Sequence, residues 1–183
     1  MGFFGRLFGK KTPEVSEKTL NFTIDIQGDC FIINGSRLEV PMHIDALAAV
    51  LGEPRRVSFK TKLEDREFLE RLHGEPVTDR VNYAWDELGL MCYTYNGKVV
   101  NTFGICFRGG KSPSNPKGLF GGTVLIGGQP WFPVMMSGED CEVLRELYFG
   151  EYLLTAEYAD FDQDDGTRTE KDFTGIEIQL KNG

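Results

Sequence analysis

The sequence predicts an α+β fold, antiparallel β-sheet with a few short helices, laid out as two meander-helix-hairpin units. Three observations predict it. Apolar residues alternate with polar ones at period two, as Phe22, Ile24 and Ile26 do with Thr23, Asp25 and Gln27. Asn34-Gly35 and Asn96-Gly97 each sit between β-rich runs, and this dipeptide accepts the positive φ of a tight hairpin. Helical spacing is confined to short stretches that close on glycine, the first at Gly52 and the next at Gly74. With 183 residues, 40% of them hydrophobic and 12% aromatic, the chain can build a core and falls outside the disordered class.

Residues 1–19 read as a flexible amphipathic segment. Phe3, Phe4, Leu7 and Phe8 recur at helical spacing beside Arg6, Lys10 and Lys11, the pattern of a basic anchor. Gly2, Gly5 and Gly9 oppose it, and so short a helix is marginal in water. A frayed or partner-ordered segment is therefore favoured over contact with a membrane surface. The apolar stretch is too short for a secretory signal, so a cytoplasmic protein is expected.

Residues 20–183 are expected to form a single domain. The turns at Gly28-Asp29 and Asn34-Gly35 make residues 20 to 41 a three-stranded meander that opposes Ile26 to Phe31, Ile24 to Ile33 and Phe31 to Leu38. Ile44, Leu47, Ala48 and Leu51 predict a helix; Arg55 to Lys60 reads as a strand. Residues 63 to 73 predict a second helix with the stripe Phe68, Leu69 and Leu72, supported by Arg66/Glu70 and Glu67/Arg71 pairs. A hairpin turning at Asn96-Gly97 would join residues 81–95 to 98–108, with Leu88, Leu90, Cys92, Val99, Phe103 and Ile105 on one side. Its other face carries Met91, Tyr93, Tyr95 and Val100, unusually apolar for water.

A Gly-, Pro- and Ser-rich loop from Arg108 to Gly122 divides the chain into pseudo-repeats, 20–108 and 120–183. In the second, Ser137 with Asp140 caps a helix with the stripe Cys141, Leu144, Leu147 and Tyr148, ending at Phe149-Gly150; strands at 151–159 and 172–180 follow. Identity between the halves is low, which leaves chance as the alternative.

Most chemistries find no support. Twenty Lys and Arg against 28 Asp and Glu leave a net charge of -8, contrary to general nucleic-acid binding. Cys30, Cys92, Cys106 and Cys141 lack zinc or redox spacing and read as reduced, mostly buried thiols. Gly104 to Ser112 has one residue too many for a phosphate-binding loop, and Pro113 and Pro116 block the helix such a loop must open. The Asp160–Asp165 run places Asp165 where a calcium loop needs Gly and Lys171 where it needs Glu, so no metal site is assigned. His43 and His73 read as helix-terminal caps. Asp86 and Glu87, as strand neighbours, would point to opposite faces.

Trp85 and Trp131 read as core residues first and interface anchors second; Tyr93 and Tyr95 complete the candidate binding set. A non-catalytic module that binds a protein partner or a second copy, with no cofactor, is the expected function. The alternative is a small hydrolase or metal-dependent enzyme using Asp86, Glu87, His43 or the Asp160–Asp165 loop.

Ala46-Leu47-Ala48-Ala49-Val50-Leu51-Gly52-Glu53-Pro54, Tyr83-Ala84-Trp85-Asp86 and Tyr95-Asn96-Gly97-Lys98-Val99-Val100 follow an order of helix, Leu-Gly-x-Pro, Trp strand and hairpin. In this, residues 44 to 107 resemble the β-lactamase-inhibitor-protein-like and BamE/SmpA-like α+β family. The resemblance implies an antiparallel sheet used as a platform for other proteins; the meander before the helix and the lack of a lipoprotein signal depart from it. The whole chain also looks similar to bacterial proteins with no assigned activity.

Overall fold

The computed structural model describes residues 15, 17–108, 114–131, 146–150, 152–158 and 173–180. The first meander forms as its turns require, from β1 (Thr23–Ile26), β2 (Cys30–Ile33) and β3 (Ser36–Glu39). Ile26 faces Phe31, Ile24 faces Ile33 and Phe31 faces Leu38, and all five side chains are buried. Each such Ile or Phe contributes roughly 1.5–3 kcal/mol through the apolar surface it removes from water.

Two α-helices are found among the described residues. In α1 (Ile44–Leu51), Ile44 and Leu47 enter the core, and the amide of Gly52 closes the helix on the Ala48 carbonyl at 2.8 Å. His43 precedes α1 but makes no side-chain cap, contrary to the expectation. Its backbone is held instead against the chain at Val99. After β4 (Arg55–Phe59) comes α2 (Leu63–His73), which ends at Gly74. The i,i+4 ion pairs expected on α2 are replaced by contacts of Arg66 and Glu70 with the chain that follows and by a bond from Arg71 to the helix backbone. Arg66 lies 3.6 Å from Asp79, the Glu70 carboxylate accepts the Val77 amide at 3.0 Å, and Arg71 donates to the Glu67 carbonyl.

The central hairpin is corrected to a meander. A turn at 86–89 splits its first arm into β5 (Arg80–Trp85) and β6 (Leu90–Thr94), and β7 (Thr102–Cys106) pairs with β6. Asn96 sits in a loop, where its carboxamide oxygen accepts the amides of Lys98 and Val99 at 2.9 and 2.8 Å. That loop is drawn onto the start of α1: Ile44 donates to Lys98 and Val100 to Met42, both at 2.8 Å. A two-residue turn would set Cys92 opposite Asn101, whereas it faces Phe103. The shift is two residues, so Leu90, Cys92, Phe103 and Ile105 keep the core face that the sequence assigns them.

The remaining strands are β8 (Thr123–Ile126), β9 (Gln129–Trp131), β10 (Glu146–Phe149), β11 (Tyr152–Tyr158) and β12 (Phe173–Leu180). They complete two sheets, in the orders β3-β2-β1-β8-β9 and β10-β11-β12-β7-β6-β5-β4. Only β1·β8 is parallel among these pairs, while β12 lies antiparallel to β7. Both halves of the chain thus contribute strands to both sheets. The helix expected to end at Phe149 is corrected there: residues 146–149 are β10, captured by the ladder with β11 across a turn at Gly150. Its earlier part, 137–145, lies outside the described residues.

The two sheets enclose one large core, in which the Phe31 ring meets Phe103 and Tyr152 edge-on at 5.8 and 5.3 Å. The folded chain also begins before residue 20. Val15 bridges to Leu119, and Thr19 is fully buried, its hydroxyl accepting the Gly121 amide at 2.9 Å. No helix of the described residues is long and apolar enough to cross a membrane.

Candidate functional site

Period two sends Arg80, Asn82 and Ala84 of β5 to the face of the second sheet away from the main core, beside Val57 and Phe59 of β4 and Met91 and Tyr93 of β6. Part of this face is covered. Met91 is buried with Ala84 and Cys106 in a second small cluster, and Val100 belongs to the main core and not to this face, because the loop after β6 folds inward.

What stays accessible is an aromatic and cationic group. The Arg80 guanidinium lies 4.9 Å from the Tyr93 ring centroid and 5.2 Å from that of Phe59, and Tyr93 meets Tyr95 edge-on at 5.6 Å. Both tyrosines are half-buried. Loss of water around the phenolate pushes Tyr93 up to about 12, with a hydrogen bond from Thr102 opposing; burial raises Tyr95 in the same way, with Arg80 opposing. Both are therefore neutral phenols near pH 7, with apolar rings and a hydroxyl able to donate. Asn82, opposite Tyr93, is 2% exposed, and its carboxamide oxygen has no hydrogen-bond partner. Such an acceptor is costly to bury unpaired.

A second feature is an open cleft of about 380 Å³ lined by Lys18, Glu53, Arg55, Asp86 and Glu87, with Trp85 in its wall. Asp86 and Glu87 share it, a correction to their expected divergence: they belong to the turn at 86–89 and not to a strand, so alternation does not separate them. Both are already matched to cations. Asp86 accepts the Lys117 amide at 3.1 Å and lies 3.6 Å from the Arg55 guanidinium. Glu87 is bonded to Lys18, whose hydrogen bond and charge hold its carboxyl below the ordinary range, so it stays ionised and is unsuited to donate a proton. His43 does not line the cleft, and Asp160–Asp165 lie outside the described residues. Among the described residues, no three His, Cys, Asp or Glu side chains gather where they could hold a metal ion.

The four candidate residues are therefore not one site. Tyr93 and Tyr95 are together. Trp85 is a core residue, 4% exposed, whose indole N–H donates to the Gly52 carbonyl at 2.7 Å, which leaves it no free polar handle for a partner. Trp131 pairs with Val124 in the other sheet, and its side chain lies outside the described residues. Sequence reasoning missed Phe59, Arg80 and Asn82, which reach Tyr93 only through the pairing of β4, β5 and β6. Their one local signal is the polar-apolar alternation of residues 80 to 85.

No curated protein and no solved structure matches the chain. A family profile described as a domain of unknown function, DUF7738, matches residues 23–140, more than half of the 183 residues. The match starts with β1 and takes in the aromatic group and the residues of the cleft other than Lys18. On that extent of agreement the chain belongs to the family described as a domain of unknown function, DUF7738.

Proposed function

We propose that the protein is a non-catalytic protein-binding module, and that an extended segment of a partner protein docks beside β4 with its side chains on Phe59, Arg80, Tyr93 and Tyr95. One observation carries this reading: the edge-on contact of Tyr93 and Tyr95 with Arg80 held over Tyr93 and Phe59. Tyr and Arg are the residue types that dominate binding energy, since they offer large rigid area with a polar end. β4 is the last strand of its sheet among the described residues, the position at which a peptide adds as a further strand.

The net charge of -8 supports a protein partner in preference to nucleic acid. The resemblance of residues 44 to 107 to sheet-platform binding proteins agrees with it. Cys30 and Cys92 are buried free thiols, which supports a reducing, cytoplasmic setting.

The test selects displayed peptides against the full chain and compares their affinity for a Tyr93→Ser, Tyr95→Ser double variant. Selected peptides should bind the variant at least about tenfold more weakly, with little change in its melting temperature. Equal binding, or loss of the fold, would remove these tyrosines from a binding role. The second reading, an enzyme, rests on Asp86 and Glu87 facing one cleft. Sustained turnover of a small substrate, abolished by Asp86→Asn without unfolding, would replace the binding module with it.

A further inference from the structure

We propose that residues 1–11 form an arm that docks within the same chain on the outward face of α2. Its apolar residues are distinct from Tyr93 and Tyr95, while Asp65 of the same helix lies near enough to Tyr95 for its charge to act on that phenol. Phe68 and Leu72 are 57% and 64% exposed and stand one helical turn apart on one side of α2. Leu63 is exposed as well, so most of the large apolar side chains left in water among the described residues belong to this helix. Soluble helices turn such residues inward. Here the inward positions are taken by Arg66, Leu69 and Glu70, with Arg66 and Glu70 tied to Asp79 and Val77.

The charges around the exposed pair define what fits it. Glu64 and Asp65 lie four and three residues before Phe68, on the preceding turn, and with Glu67 they enter no ion pair among the described residues; Arg71, three residues after Phe68, is exposed as well, so acids outnumber bases around the pair. An occupant should therefore be apolar and cationic. Residues 1–11 carry Phe3, Phe4, Leu7 and Phe8 with Arg6, Lys10 and Lys11, and no acid.

Reach permits the contact. Lys18 is bound to Glu87, just past the Trp85 end of β5, whereas α2 is tied by Asp79 to the Arg80 end. A strand of that length spans ~20 Å, and the stretch from Val15 back to Phe8 extends up to ~24 Å. Tethering also favours the arm over free competitors by raising its local concentration. A second copy of α2 would bring acid against acid, and an anionic membrane would be repelled by a chain of net charge -8.

A photo-crosslinking residue replacing Phe4 in the full chain tests this directly. Irradiation should join it to residues 63–73 of the same chain, with a yield unchanged on dilution, lowered by salt, and lost on Phe68→Ser with Leu72→Ser. Hydrogen exchange gives the second readout. In a full chain carrying Phe3→Ser, Phe4→Ser, Leu7→Ser and Phe8→Ser, α2 amides should exchange roughly fivefold faster while those of β6 and β7 do not change. These four positions precede every described residue, so the fold is not at stake. Crosslinked dimers that vanish on dilution would assign the face to a second copy and overturn the proposal. Crosslinks transferred to lipid on adding vesicles with anionic headgroups would overturn it in favour of a membrane. Crosslinks absent from α2, or unaltered α2 exchange, would overturn it outright.

Discussion

At the scale of single residues, environment decides what each aromatic can do. Trp85 and Tyr93 occupy neighbouring strands and face opposite sides of one sheet, so the first is spent on the core and the second is left half-buried beside Arg80. The Tyr93 phenol provides a test. Its folded value is raised from the ordinary 10 to about 12, so the folded chain keeps a proton that the unfolded chain releases. The stability tied to that proton is intact below pH 10 and is lost as pH rises from 10 towards 12. Urea midpoints measured across this window should fall more steeply for the natural chain than for Tyr93→Phe. Parallel curves would show that Tyr93 titrates as it does in the unfolded chain. Gly89 shows a harder constraint at the same scale: it turns β5 into β6 at φ +68, where an added Cβ would lie 2.2 Å from the Phe120 amide nitrogen.

Among elements, the two helices differ in kind although the sequence makes them look alike. α1 drives Leu47, fully buried, into the core that both sheets share, while α2 turns Phe68 and Leu72 away from it. Leu47→Ala should cost ~2–5 kcal/mol through the cavity it opens, and Phe68→Ser no more than about 1 kcal/mol, as for a position outside the core. Denaturant melts of the two variants check this, and equal losses would mean that α2 is integral to the fold. The extents of both helices were legible, because apolar spacing and a terminal glycine are local signals. The face that α1 buries was legible too, since Ile44 and Leu47 of its stripe enter the core, whereas that of α2 was not. The stripe Phe68, Leu69, Leu72 places only Leu69 against the body, since backbone and side-chain bonds from Val77 and Asp79 set the helix's rotation.

For the whole molecule, the decisive contacts join distant parts of the chain. β1 lies beside β8 and β7 beside β12, so neither half of the sequence completes a sheet without the other. The same holds at the start of the chain, where Val15, Lys18 and Thr19 are tied to Leu119, Glu87 and Gly121. Deleting residues 1–11 should leave cooperative unfolding in place with little change in melting temperature, whereas deleting residues 1–19 should lower it by several degrees. Thermal melts of both truncations decide the point. Equal behaviour would contradict the anchoring role of Thr19.

The sequence by itself determined the features that local chemistry controls. Period-two alternation with Gly28-Asp29 and Asn34-Gly35 set the register of β1, β2 and β3, and apolar spacing with glycine set the helices. Alternation also put Leu90, Cys92, Phe103 and Ile105 on the core face, because a slip by two residues leaves every side chain on its own side. Only the tertiary structure decided that residues 146–149 pair as a strand, that Val100 turns inward, and that Asp86 and Glu87 share a cleft already matched to Lys18 and Arg55. It also brought Phe59, Arg80 and Asn82 to Tyr93. Each of these depends on which strand lies next to which, and that is settled by burying a common core between residues far apart in the chain, a quantity that no local window of sequence contains.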